Sequence, residues 1–151
     1  MGNGNGLASL RMRAKGYVWW SIYVRTSSAR KLKDVHLPPI EAALETLQFE
    51  LQIINESENP GLFRLVTYQN LEGDGVLDLI SPVLRRAYGL ADGWSISGLG
   101  DLSRGELQHV MGGWSSKAPS NKPPALESMI FELQPGEVTG RTPDGGWQID
   151  G

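Results

Sequence analysis

The chain has 151 residues, 40% of them hydrophobic and 21% charged, with 19 glycines, 9 prolines, no cysteine and a formal net charge of −3. Such a length and composition belong to one globular domain that buries about two-thirds of its unfolded surface, and the missing cysteine excludes disulfides, thiolate nucleophiles, Cys-based zinc sites and iron–sulfur clusters. No run reaches the roughly 20 apolar residues of a membrane span, and "MGNGNGLASLRMRAK" lacks the apolar stretch of a secretory signal, so a soluble, cytoplasmic chain without a membrane partner is expected.

Residues 1–15 carry too little apolar content to order themselves and are expected to form a flexible basic arm ahead of a single α+β domain over 16–151. Residues 1–33 hold seven Lys or Arg and no acid, whereas the remainder holds seven bases and seventeen acids, a balance of −10. The arm therefore suits an anionic partner and the body a basic one; with neither, the arm is a solvated tail.

"YVWWSIYVRT" reads as the first strand, since its alternation puts Val18, Trp20, Ile22 and Val24 on one face and Tyr17, Trp19, Tyr23 and Arg25 on the other. After the polar "RTSSARKLKD", Pro38 and Pro39 are placed to start a helix whose buried stripe is Ile40, Ala43, Leu44 and Leu47. Residues 49–54 fit a strand better than a helical continuation, because "NESENPG" supplies a turn and "LFRLVTYQN" a second β-rich run to pair with it. "GDGVLDLISPVLRRAYGL" has helical spacing, with Asp74 as the expected N-cap and Gly89 as the C-cap; Pro82 must kink this helix or begin it with Ser81 as cap. Short strands follow in "GWSISG", "ELQHVMGGW" and "LESMIFELQ", separated by Gly-rich turns and the loop "SSKAPSNKPP", and "RTPDGGWQIDG" adds a hairpin arm. The order predicts an antiparallel sheet with two helices on one face, in the ferredoxin-like βαββαβ order, plus a C-terminal β extension from about residue 105.

The nearest approach to a chemical motif is "NLEGDGVLDLIS", where Asn70, Glu72, Asp74, Gly75 and Asp78 fall near EF-hand spacing. Ser81 stands where calcium needs a bidentate carboxylate, and no helix precedes the loop, so a strand-to-helix turn is expected and no metal. "GLGDLSRG" ends in no Lys-Ser/Thr and reads as a turn rather than a phosphate cradle. The two histidines, His36 in a loop and His109 on a strand face with Leu107 and Met111, accompany no nucleophile elbow, and no cofactor is expected.

These features predict a non-catalytic protein-binding module of the inhibitor or immunity type, engaging a basic protein partner through the acids Glu72, Asp74 and Asp78. The alternative is single-stranded nucleic-acid binding by Tyr17, Trp19, Tyr23 and Arg25 with the arm residues Arg11, Arg13 and Lys15. In that alternative the aromatic face stays open; otherwise Trp94, Trp114 and Trp147 fold over it, or a second copy of the chain covers it. A small enzyme whose site forms only in space is the third class.

Overall fold

The computed structural model describes residues 14–54, 57–58, 60–98, 107–115 and 125–150. Strand β1 (Ala14–Arg25) is followed by a helix α1 made of Ala29–Lys31, a π-helical stretch Leu32–His36 and Leu37–Leu44. Then come β2 (Glu50–Ile53), β3 (Leu62–Gly73), helix α2 (Leu77–Leu90), β4 (Ser95–Ser97), β5 (Val110–Ser115), β6 (Leu126–Pro135), β7 (Glu137–Arg141) and β8 (Trp147–Asp150). Among the described residues, six strands form one antiparallel sheet in the order β2-β3-β1-β6-β5-β4, and β7 and β8 pair separately as a hairpin. No described helix is long and apolar enough to cross a membrane.

Both helices lie on one face, because that face is apolar. Val18, Trp20, Ile22 and Val24 of β1 are fully buried there with Leu65, Phe131 and Leu133 from the neighbouring strands, beneath Leu32 and Leu44 of α1 and Leu79, Val83 and Ala87 of α2. The indole N–H groups of Trp20 and Trp94 within this layer are answered locally. Trp20 Nε1 donates to Gln69 Oε1 at 3.0 Å, and Gln69 Nε2 donates to the carbonyl of Leu44, which joins the sheet to the end of α1. Trp94 packs against Phe131 with the rings tilted by 54° and their centroids 5.4 Å apart, and its indole N–H donates to the Ala87 carbonyl at 2.8 Å.

The expected βαββαβ order is not matched. The first strand after α2 has three residues and lies at the far edge, while the ten-residue β6 takes the place beside β1. Length and pattern explain this: the twelve-residue β1 needs a long apolar partner, and Leu126, Met129, Phe131 and Leu133 of β6 supply one. Strands expected as an appended extension are thus built into the main sheet. The β2–β3 pairing agrees with the strand reading of residues 49–54.

Local boundaries also differ from expectation. Helix α1 begins nine residues before Pro38, because Ser28 caps it by accepting from the Lys31 N–H at 3.1 Å; Pro38 and Pro39 start its last segment only, and His36 is helical rather than in a loop. Asp74 is not the N-cap of α2. That helix starts after Val76 without a side-chain cap and runs through Pro82, while Asp78 Oδ2 reaches back to accept from the N–H groups of Asp74 (2.8 Å) and Gly75 (3.2 Å). Gly89 lies inside α2, close to Ala43 of α1, and the helix ends at Leu90 with Ala91 as its C-cap. "GLGDLSRG" from residue 99 onward and the loop at 116–124 lie outside the described residues.

A candidate binding face

The side of the sheet away from the helices is the more chemically varied one. Its register aligns residues from all six strands into three rows. The middle row runs Ser95, Gly113, Ile130, Ser21, Val66, Glu50. On one side of it stand Ser97, Met111, Glu132, Trp19 and Tyr68, and on the other Ser115, Ser128, Tyr23, Arg64 and Gln52. Ser95, Gly113 and Ser21 lower this row, hereafter the trough, between the flanking Trp19, Tyr68, Tyr23 and Arg64, with Ile130 exposed between Gly113 and Ser21. With strands about 4.8 Å apart it is about 24 Å long.

Gly113 lies on the floor of this trough. A Cβ built there meets nothing within 4 Å, whereas one built on the adjacent Gly112 would approach Phe131 Cε2 to 2.1 Å. Gly112 is therefore required by the core on the helix side, and Gly113 is not required by packing at all.

The β7–β8 hairpin crosses this face toward the β2 edge. Asn70 fastens it by donating to the Val138 carbonyl and accepting from the Val138 N–H, each at 2.9 Å. Trp147 meets the Tyr68 ring edge-on at 4.7 Å between centroids, and Arg141 pairs with Glu50 at the end of the middle row. Between hairpin and sheet lies an open cleft of about 360 Å³, whose walls include Trp19, Arg64, Val66, Arg141, Trp147 and Ile149. Of the three tryptophans expected to cover the aromatic face, only Trp147 does so; Trp94 and Trp114 are buried on the helix side.

Two guanidinium groups lie over aromatic rings here. Arg64 donates from Nε to Ser21 Oγ (2.8 Å) and from Nη1 to Gln52 Oε1 (3.3 Å), with Cζ 5.9 Å from the Tyr23 ring centroid. Arg141 donates to the Gly145 carbonyl at 2.8 Å and lies 5.5 Å from the Trp147 centroid. Such contacts fix the charge without using all five N–H groups of a guanidinium. Tyr17, opposite Asn70, is buried and donates to Gln134 Oε1; burial first, then the nearby Glu132 carboxylate, raise its pKa.

The other predicted residues are dispersed. Arg11 and Arg13 lie outside the described residues, Lys15 is 3.8 Å from Glu137, and Arg25 is held by Glu127. Glu72 lies one residue before the end of β3, opposite Lys15, and Asp78 closes the turn at Asp74 and Gly75. Among the described residues no three His, Asp or Glu side chains converge as metal ligands would. His109 pairs with Glu132 at 3.4 Å, while His36 lines a separate apolar pocket between the helices, of about 390 Å³, with Val35, Pro39, Ile40 and Leu90. Arg64, Arg141 and the glycine-serine trough escaped the sequence reading. Arg64 alone had a signal there, as a cation on the polar side of an alternating strand. The chain matches no family model, no curated protein and no solved structure.

Proposed function

We propose that this chain is a non-catalytic module that binds single-stranded nucleic acid across the helix-free face of its sheet. The observation that carries the reading is the pair of half-buried rings, Trp19 and Tyr23, flanking the trough on the central strand, with Arg64 seated beside Tyr23. Bases stack on such rings whatever their sequence, and a neighbouring guanidinium both stacks and meets phosphate. The geometry of Glu72, Asp74 and Asp78 favours a basic protein partner less, because the Asp78 carboxylate already serves two backbone N–H groups of its own turn.

Titrating the protein with a short oligothymidylate while following tryptophan fluorescence tests the proposal. Binding is expected to weaken steeply between about 50 and 200 mM salt. Trp19→Ala removes one stacking platform worth about 1–3 kcal/mol, roughly a ten- to hundredfold loss of affinity. No binding at low salt, or unchanged binding by the Trp19→Ala protein, rejects it.

A further inference from the structure

We infer that the face recognises the end of a strand, with a terminal phosphate held in the cleft by Arg64 and Arg141; this rests on the nucleic-acid reading above. The trough is not symmetrical along its length. At the β4 side the floor is Ser95 and Gly113, and a Cβ built on Gly113 meets nothing within 4 Å. At the β2 side Arg141 reaches from the hairpin to Glu50, the last residue of the row, and Trp147 and Ile149 wall the cleft next to it. Among the described residues, the β2 end of the row is therefore walled by the hairpin and the β4 end is not.

The obstructed end has the chemistry for a terminal group. The charged side chains lining the cleft are Arg64, Arg141 and Glu50, which leaves one positive charge in excess. Its volume of about 360 Å³ is near the lower limit for ligand pockets and suits one nucleotide rather than a run of them. A phosphomonoester carries about −1.5 to −2 charges at neutral pH, against −1 for the diester within a strand, and offers three acceptor oxygens. Two fixed guanidinium groups distinguish these, since a planar fork is matched best by an anion with several free oxygens. Trp147 and Trp19 line the cleft and supply aromatic surface for the terminal base.

The test compares four forms of one oligothymidylate: unphosphorylated, 5′-phosphorylated, 3′-phosphorylated, and ligated into a circle. One of the two phosphorylated forms is expected to bind roughly tenfold more tightly than both the unphosphorylated form and the circle, and which one gives the polarity of the strand. Arg141→Gln is expected to abolish that preference while leaving the weaker binding of the circle in place. Arg64→Gln is expected to abolish the preference and also to weaken binding of every form, because Arg64 belongs to the general face as well; thermal unfolding of both variants confirms that they fold. Equal affinity for circle and phosphorylated strand, with binding still lost in the Trp19→Ala protein, overturns end recognition and leaves the nucleic-acid reading standing. Failure of every form to bind overturns both.

Discussion

The two faces of β1 alternate along the same twelve residues and have opposite fates. On the helix side Val18, Trp20, Ile22 and Val24 are completely buried, and the indole N–H of Trp20 is satisfied within the protein. On the other side Trp19 and Tyr23 are half-open and Ser21 is buried beneath Arg64, whose Nε it accepts. Both faces are rich in aromatic rings, so aromatic content does not decide which is core. The difference is that one face has two helices laid over it, while among the described residues the other has only a short hairpin crossing one end.

The largest effect that would separate the faces is on stability. Trp20→Ala is expected to cost about 3–5 kcal/mol in denaturant unfolding, through lost burial and a cavity beside Phe131, whose centroid lies 5.2 Å from that of Trp20. A loss comparable to that of an ordinary surface substitution would mean the helix face is not the core. The sharper contrast comes from two adjacent glycines. Gly112→Ala forces a methyl into Phe131 and should cost roughly 1–3 kcal/mol, whereas Gly113→Ala should be neutral or gain up to about 1 kcal/mol by restricting the unfolded chain. Gly113→Leu, by contrast, is expected to leave the melting temperature nearly unchanged while blocking oligonucleotide binding. A Leu variant that binds like the parent would remove the trough from the binding surface.

The smallest effects are electrostatic and lie at opposite ends of the pH scale. Tyr17, on the hairpin side, has a raised pKa, so as pH rises past about 10 the unfolded chain ionises first and stability falls through the folded value. Tyr17→Phe should flatten that alkaline decline. Glu45, at the left-handed end of α1, has a pKa lowered chiefly by its hydrogen bond from Arg86, so its contribution is present above the ordinary carboxylate range and lost as pH falls through the folded value. Glu45→Gln should flatten the acid limb of the same curve. Unfolding followed across the pH range measures both, and this exposed acid should give the weaker signal.

Period-two alternation made β1 legible, because a twelve-residue strand with one wholly apolar face leaves little choice of register. The start of α1 was not legible: Ser28 is one of several polar residues in "RTSSARKLKD", and the π-helical stretch disturbs the spacing by which a helix is recognised. Asp74 was read as a cap because it precedes the helix at the right distance; Asp78, four residues later, makes the closure from inside the helix. The trough was beyond reach for a different reason. Ser21, Ser95, Gly113 and Ile130 become neighbours only through pairings between strands far apart in sequence, and the position of β6 beside β1 decides those pairings. Trp147 was legible as a residue of a C-terminal arm, but the place where that arm lands depends on Asn70.

Asn70 presents a side-chain amide to Val138 just as a peptide group would, donor to acceptor and acceptor to donor. The hairpin is thereby joined to the broad surface of the sheet by a bond pattern otherwise reserved for strand edges. The amide proton of Val138 belongs to this attachment rather than to the β7–β8 ladder, so its exchange with solvent follows the lifting of the hairpin and not the separation of its two strands. One backbone hydrogen thus reports on whether the wall of the cleft is up or down.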